Sequence, residues 1–213
     1  MAAKKSKHKS KQQWLNRHVN DPFVNQAQRD GYRSRAAYKL IEILDAEQIG
    51  RGSVNRAVDL GSAPGAWSQV LAKRMTGARI VALDLLEMAA VPGVDFFQGD
   101  FREIETLQAL ESLLDDKPLD LIVSDMAPNL SGVAMADSAR MADLAELALD
   151  LARTRLSPQG TLIIKCFHGS GFSQIVRDFK LVFSQVRERK PQASRAESAE
   201  TFLVGRRLKG APG

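Results

Sequence analysis

The 213 residues are 44% apolar, enough for a single domain with a sizeable core. One cysteine, Cys166, excludes a disulfide framework and a multi-cysteine zinc site, and His8, His18 and His168 are too scattered to form a ligand cluster. No apolar run approaches the roughly 20 residues of a membrane span, and no apolar stretch follows the basic start as in a secretory signal. The expectation is a cytoplasmic, metal-free protein, monomeric by default.

The net charge of +5 is spread unevenly. Residues 1–40 carry ten Lys and Arg against two Asp, residues 41–186 thirteen against twenty acidic residues, and residues 187–213 seven against three. Basic ends around an acidic middle suit an anionic polymer, nucleic acid first, because neutralising phosphates releases counterions without any base code. Residues 1–11 are low-complexity Lys, Ser and Gln, expected to form a disordered basic tail on a domain spanning 12–213.

In chain order, Gln12–Gln28 has a broken amphipathic pattern interrupted at Asp21-Pro22, and Ser34 is the expected N-cap of a helix through Gln48. Val54–Leu60 reads as a strand, Ala66–Met75 as a helix, Arg79–Asp84 and Val94–Gln98 as strands, and Arg102–Leu114 as a charged helix. Leu119–Asp125 follows as a strand and Asp137–Leu156 as a long helix closed by Ser-Pro-Gln-Gly. Gly160–Phe167 is a strand, Gly171–Phe183 a helix, and Ser184–Arg189 and Glu200–Arg206 are strand-like. Short Val/Ile/Leu runs alternating with helices predict an α/β, doubly wound, mostly parallel sheet, with one antiparallel strand from the tight final pair.

Ligands of open α/β sheets bind beyond the carboxyl ends of the strands. Those ends hold the turn Asp59-Leu-Gly61-Ser-Ala-Pro-Gly65-Ala-Trp67, then Asp84, Asp100, Asp125 and Lys165. Gly61 and Gly65 allow a sharp bend and close approach of a ligand, or serve the turn alone. The G-x-G-x-x-G pyrophosphate cradle and the P-loop Gly-Lys-Ser/Thr are both missing, which disfavours a nicotinamide oxidoreductase. What remains suits a nucleoside, with Asp84 able to accept from ribose hydroxyls. Trp67 is by default a core aromatic, although its place beside the turn also suits a pocket wall. A lysine inside Gly160–Phe167 is costly unless used or paired, and an ion pair with Asp125 is the plain structural alternative.

The turn 59–69 (Asp-Leu-Gly-Ser-Ala-Pro-Gly-Ala-Trp-Ser-Gln) closely resembles the cofactor turn of the FtsJ/RrmJ family of RNA 2′-O-ribose methyltransferases. So do Arg33-Ser-Arg-Ala-Ala-Tyr-Lys-Leu40, Ser124-Asp-Met-Ala-Pro-Asn129, Ser131-Gly132 and Lys165-Cys-Phe167, and the likeness runs from about Trp14 to Arg206. Ser62 and Ala66 depart from the family's usual Ala and Gly, His168 stands where Gln is commoner, and the 86–92 stretch is variable.

The resemblance implies a single Rossmann-like methyltransferase fold, S-adenosylmethionine as methyl donor, and a uridine ribose of 23S rRNA in the large ribosomal subunit as acceptor. It implies a catalytic set of Lys39, Asp125, Lys165 and Glu200, with donor contacts at Gly61, Gly65, Trp67, Asp84, Asp100 and Asp125. Methyl transfer needs a deprotonated, aligned oxygen, for which a neutral Lys165 can act as base, with Lys39 as a second cation and Glu200 holding Lys39 or the ribose. Lys4–Lys11, Arg29, Arg33, Arg35, Arg187, Arg189 and Lys190 are then expected phosphate contacts, and Ser194-Arg195 an RNA-contacting loop or a linker. A tRNA acceptor and a non-catalytic RNA-binding assembly factor stay open as alternatives.

Overall fold

A computed structural model of the chain describes residues 21–50, 52–115, 117–128, 131–195 and 197–210. The basic stretch 1–11 and the pattern before Asp21 lie outside these. The elements are α1 (Pro22–Arg29), α2 (Ala36–Ala46), β1 (Arg56–Leu60), α3 (Ala66–Arg74), β2 (Arg79–Asp84), β3 (Val94–Gln98) and α4 (Ile104–Leu114). They continue through β4 (Leu119–Ser124), α5 (Ala134–Arg155), β5 (Leu156–Phe167), α6 (Phe172–Val182), β6 (Phe183–Arg189) and β7 (Glu200–Leu208).

The seven strands form one sheet in the order β3-β2-β1-β4-β5-β7-β6. Neighbours from β3 to β5 pair in parallel, and β7 runs antiparallel to both β5 and β6. The reversed strand therefore sits inside the sheet, and β6 at the edge again points the way of the parallel set. Successive side chains of a strand face opposite sides, and the two layers follow from that. Val58, Leu60, Ile122, Leu162, Ile164 and Leu203 pack with α4, α5 and α6 on one face. Ala57, Leu121, Val123, Ile163, Phe202 and Val204 pack with α2 and α3 on the other.

Three boundaries differ from the sequence expectation. Ser34 does not occupy the capping position of α2, which begins at Ala36, but its Oγ still accepts from the Ala36 N–H at 3.2 Å. Ser157-Pro-Gln-Gly160 belongs to β5 rather than closing a helix, because Leu156 pairs with Leu119 and extends the strand backwards. Helix α5 begins at Ala134, before Asp137, whose carboxylate accepts from the N–H groups of Ser131 (2.8 Å) and Gly132 (3.0 Å). At Asp21-Pro22 the break in pattern is a helix start: Asp21 Oδ1 accepts from Phe23 N at 3.0 Å and Pro22 opens α1.

The edge strand is tied down by a buried carboxylate. Glu47, just past α2, is fully buried and meets Arg187 at 2.8 Å, Arg189 at 2.6 Å and Arg206 at 3.6 Å. Burial alone would raise its pKa, but hydrogen bonds and charge from Arg189 and Arg187 outweigh this and hold the carboxyl below its ordinary value. Such stability is present above the unfolded pKa and is lost as pH falls through the folded one. Glu47→Gln should therefore destabilise the fold by about 2 kcal/mol at pH 7. The deficit should shrink as pH falls below about 4, read by denaturant unfolding at several pH values.

Candidate functional site

The alternation that builds the core also gathers the site. Lys165 shares the parity of Ile163, Glu200 that of Phe202 and Val204, and Asp125 continues that of Leu121 and Val123, so all three face the side covered by α2 and α3. Lys39 comes from α2 on that same side. The antiparallel register places Glu200 opposite Phe167, and Phe202 opposite Lys165. Because β7 is reversed, its first residue, not its last, meets the carboxyl edge of the parallel strands.

Two ion pairs result. Lys39 Nζ lies 2.7 Å from each carboxylate oxygen of Glu200. Lys165 Nζ lies 2.9 Å from Asp125 Oδ1 and donates to the Asp125 main-chain carbonyl. Lys165 and Glu200 are each only 8% exposed, so both charges need their partners. Burial pushes the Glu200 pKa up, yet the Lys39 charge and hydrogen bond, the Ser194 hydroxyl donating at 2.8 Å, and the Lys165 charge together hold it low. Both lysines thus act on one carboxylate, and the four residues form a connected set.

Beside this set lies a cavity of about 660 Å³. Gly61, Asp84, Asp100 and Asp125 line it; Gly65 and Trp67 do not. Gly61, at φ +73°, is where chain crowding forbids a side chain, since a Cβ would sit 2.7 Å from Met126 Cγ and 2.9 Å from Met126 N. Asp84 accepts from Ala63 N through Oδ2 and from Leu86 N through Oδ1, both at 2.8 Å, which aims its carboxylate into the cavity wall. The Arg102 guanidinium holds the Asp100 carboxyl below its ordinary pKa, with Nε 2.9 Å from Oδ1. Trp67 is buried, donates from Nε1 to Ala36 O at 2.9 Å, and tilts against Phe202 at 5.7 Å. It fastens α2 to α3 and so sets the position of Lys39.

Several lining residues were not singled out from sequence: Leu85 and Leu86 after β2, Arg102, and Arg140, Asp143 and Leu144 from α5. Spacing gives no sign that α5 reaches this edge. Asp59 was available as a charge inside an apolar strand. Its side chain is fully buried beneath the turn, with Oδ2 accepting from Ser68 at 2.6 Å and Oδ1 lacking a protein partner among the described residues.

Most of the expected phosphate contacts also make hydrogen bonds or ion pairs within the protein. Arg35 pairs with Asp21 and donates to Ala193 O, Arg187 and Arg189 hold Glu47, and Lys190 donates to Ser198 O and, at 2.9 Å, to Glu200 O. Arg33 binds three carbonyls. The 190–195 stretch is likewise pinned, since Glu42 accepts from Gln192 N at 2.6 Å and Ala193 N at 3.0 Å. Arg29, Arg187 and Lys190 remain exposed. Among the described residues no helix is long and apolar enough to cross a membrane, and no cluster of His, Cys, Asp and Glu could hold a metal.

A family model described as FtsJ-like methyltransferase matches residues 32–208. Ribosomal RNA large subunit methyltransferase E of Bordetella pertussis is 57% identical over 211 residues, covering 96% of this chain and 100% of that protein. The protein of the same name from Burkholderia multivorans is 50% identical over 218 residues, covering 96% and 98%. Among solved structures, a ribosomal RNA methyltransferase from Plasmodium falciparum superposes with a TM-score of 0.72 at 28% identity, over 83% of this chain and 98% of that one. A Methanococcus jannaschii fibrillarin pre-rRNA processing protein shares the fold, with a TM-score of 0.53 at 14% identity over 73% and 67%.

Burial first, opposed by the Ser68 hydrogen bond and reinforced by the charges of Asp125 and Asp84, pushes the Asp59 carboxyl up to about 7. A raised folded pKa gives stability that is complete below the unfolded value and is lost as pH rises through the folded one. Asp59→Asn should therefore gain on the parent between pH 5 and pH 8 by on the order of 3 kcal/mol. A stability difference that does not change with pH would contradict this charge assignment.

Proposed function

The chain belongs to the FtsJ-like methyltransferase family, and from that membership we propose that it transfers a methyl group from S-adenosylmethionine to the ribose 2′-hydroxyl of a uridine in 23S rRNA of the large ribosomal subunit. The names of the Bordetella and Burkholderia relatives support the rRNA substrate class. The observation that carries the chemistry is the pairing of Lys39 with Glu200 and Lys165 with Asp125 on one sheet face, beside a cavity walled by carboxylates.

The cavity fits the donor. Its volume of about 660 Å³ lies in the range of small-molecule sites, and Asp84, Asp100, Asp125 and Asp143 give it the negative wall that a cationic ligand needs. Asp84 is the group to receive ribose hydroxyls, because each of its oxygens accepts one main-chain N–H and has a further lone pair. S-adenosylmethionine supplies, when bound, a methyl on a positively charged sulfur that an oxygen can take in line.

The chain's own groups do the rest. Lys165 must release its own proton before it accepts that of the 2′-hydroxyl, as the oxygen–carbon bond forms and the carbon–sulfur bond breaks. Asp125 orients the amine through its carboxylate and its main-chain carbonyl, and complements the donor's positive charge. Glu200 holds Lys39 at the same edge, and Ser194 in turn holds Glu200. Much of the acceleration comes from fixing oxygen and methyl in line.

The test is transfer of labelled methyl to large ribosomal subunits, naked rRNA and bulk tRNA, with the product examined for the alkali-resistant dinucleotide left by a blocked 2′-hydroxyl. Label should appear in large-subunit rRNA, and Lys165→Ala should lose about 10²- to 10⁴-fold in rate with donor binding nearly intact. Label in tRNA instead would move the substrate, and no label with retained donor binding would favour an assembly factor. Asp84→Ala should weaken donor binding at least tenfold by calorimetry; unchanged affinity would contradict its ribose role.

A further inference from the structure

The segment between α1 and α2 carries an arginine that the reaction does not use. Arg33 donates from Nη1 to Pro64 O at 2.9 Å and Ala89 O at 2.7 Å, and from Nη2 to Ala90 O at 2.7 Å. Pro64 belongs to the turn after β1; Ala89 and Ala90 belong to the connection between β2 and β3. That connection begins with Leu85 and Leu86, which line the cavity.

Everything around the guanidinium holds it in place. Gln69 of α3 accepts from the Arg33 N–H at 2.8 Å and donates to Gly31 O at 3.1 Å, so the backbone of Arg33 is gripped from below. Gly65 exposes only backbone to it: a Cβ there would lie 2.5 Å from Arg33 Nη1, 2.8 Å from Met88 Sδ and 3.1 Å from Val91 Cγ2. Met88 and Val91 are buried with Ala82, with Ala63 packed against them. The same two segments are joined a second time from the cavity side, where Asp84 accepts from Ala63 N and Leu86 N. Arg33 and Asp84 are an outer and an inner clasp on one joint.

We propose that Arg33 is a positioning residue for the cofactor cavity, a three-carbonyl clasp that fixes the turn after β1 against the 85–91 wall, and not a phosphate contact. The identity of the ligand rests on the function proposed above; the clasp itself does not. Hydrogen bonds from a charged donor are about twice as strong as neutral ones, and a forked, planar donor can bridge carbonyls of two segments where a lysine ammonium can reach only one cluster. A wall held before the ligand arrives spares binding the cost of ordering it. Because Arg33 lies six residues before Lys39, it also ties the donor side of the site to the helix that carries the Lys39–Glu200 pair.

The experiment compares the full chain with Arg33→Ala and Arg33→Lys in four ways. Calorimetry with S-adenosylmethionine should show about tenfold or greater weakening in Arg33→Ala, with a smaller rescue in Arg33→Lys. The KM for the donor should rise in step, by more than kcat falls. Affinity for rRNA against salt concentration should keep its slope. Hydrogen exchange without any ligand should quicken at residues 61–65 and 85–91 and stay unchanged in the central strands. Unchanged donor affinity with a salt slope reduced by about one would identify a phosphate contact and overturn the clasp. Exchange that quickens throughout the chain would overturn it in favour of a general structural role. Should Arg33→Ala fail to fold, Arg33→Lys decides by the same readings. Should the parent bind no S-adenosylmethionine, the function proposed above fails, and the exchange pattern alone decides for or against the clasp.

Discussion

A lysine seated near the end of a strand buried on both faces must have its charge answered, and Lys165 is that constraint here. Its residue is 8% exposed, and a buried ammonium without a partner costs several kcal/mol. The answer comes from the neighbouring strand end, where Asp125 offers both a carboxylate oxygen and a main-chain carbonyl. Asp125 is at the same time a wall of the cavity, so the group that makes Lys165 tolerable is also the one that brings it beside a ligand. A second pair, Lys39 with Glu200, sits close enough for Lys165 to depress the Glu200 pKa. Four alternating charges settle one another and leave an amine and a carboxylate facing the place of reaction.

That arrangement depends on topology. Parallel strands present their carboxyl ends at one edge, which supplies Asp84, Asp125 and Lys165, but Glu200, the first residue of its strand, would lie at the opposite edge if that strand were parallel too. The reversal of β7 between β5 and β6 brings its first residue, Glu200, to the reactive edge. The connection that feeds it is secured on α2 by Glu42 and closed by Ser194 on Glu200. Trp67 and Arg33 place α2 and the cofactor turn from the other side. Elements remote from the chemistry thus spend their hydrogen bonds on a few angles at its centre.

Much of this was legible in the residues. Apolar runs punctuated by Asp and Gly located β1 to β4 nearly to the residue; for β1, β2 and β4 the reason is that a strand buried on both faces has few other ways to be written. Lys165 and Asp125 stood at strand ends, where a charge is otherwise expensive, whereas Lys39 on α2 and Glu200 on β7 were marked only by the family likeness. The likeness of their surroundings to a known family supplied roles that spacing alone left open. The start of β5 was missed because Ser-Pro-Gln-Gly has turn chemistry, which pairing of Leu156 with Leu119 overrides. The internal partners of the basic residues were not legible, for a different reason. A sequence shows a cation but not its acceptor, and the acceptors of Arg33, Lys190 and part of Arg35 are main-chain carbonyls that every residue possesses. Glu47, which holds two more arginines, looked like any helical glutamate.

The most direct measurement is a crystal structure of the full chain with a non-reactive analogue of S-adenosylmethionine that carries an amine in place of the transferable methyl. The account predicts the analogue in the Gly61–Asp84–Asp125 cavity, its ribose hydroxyls on the Asp84 carboxylate and its amine directed at Asp125 and the Lys165 side chain. An analogue bound elsewhere, or one whose amine points away from Lys165, would contradict it.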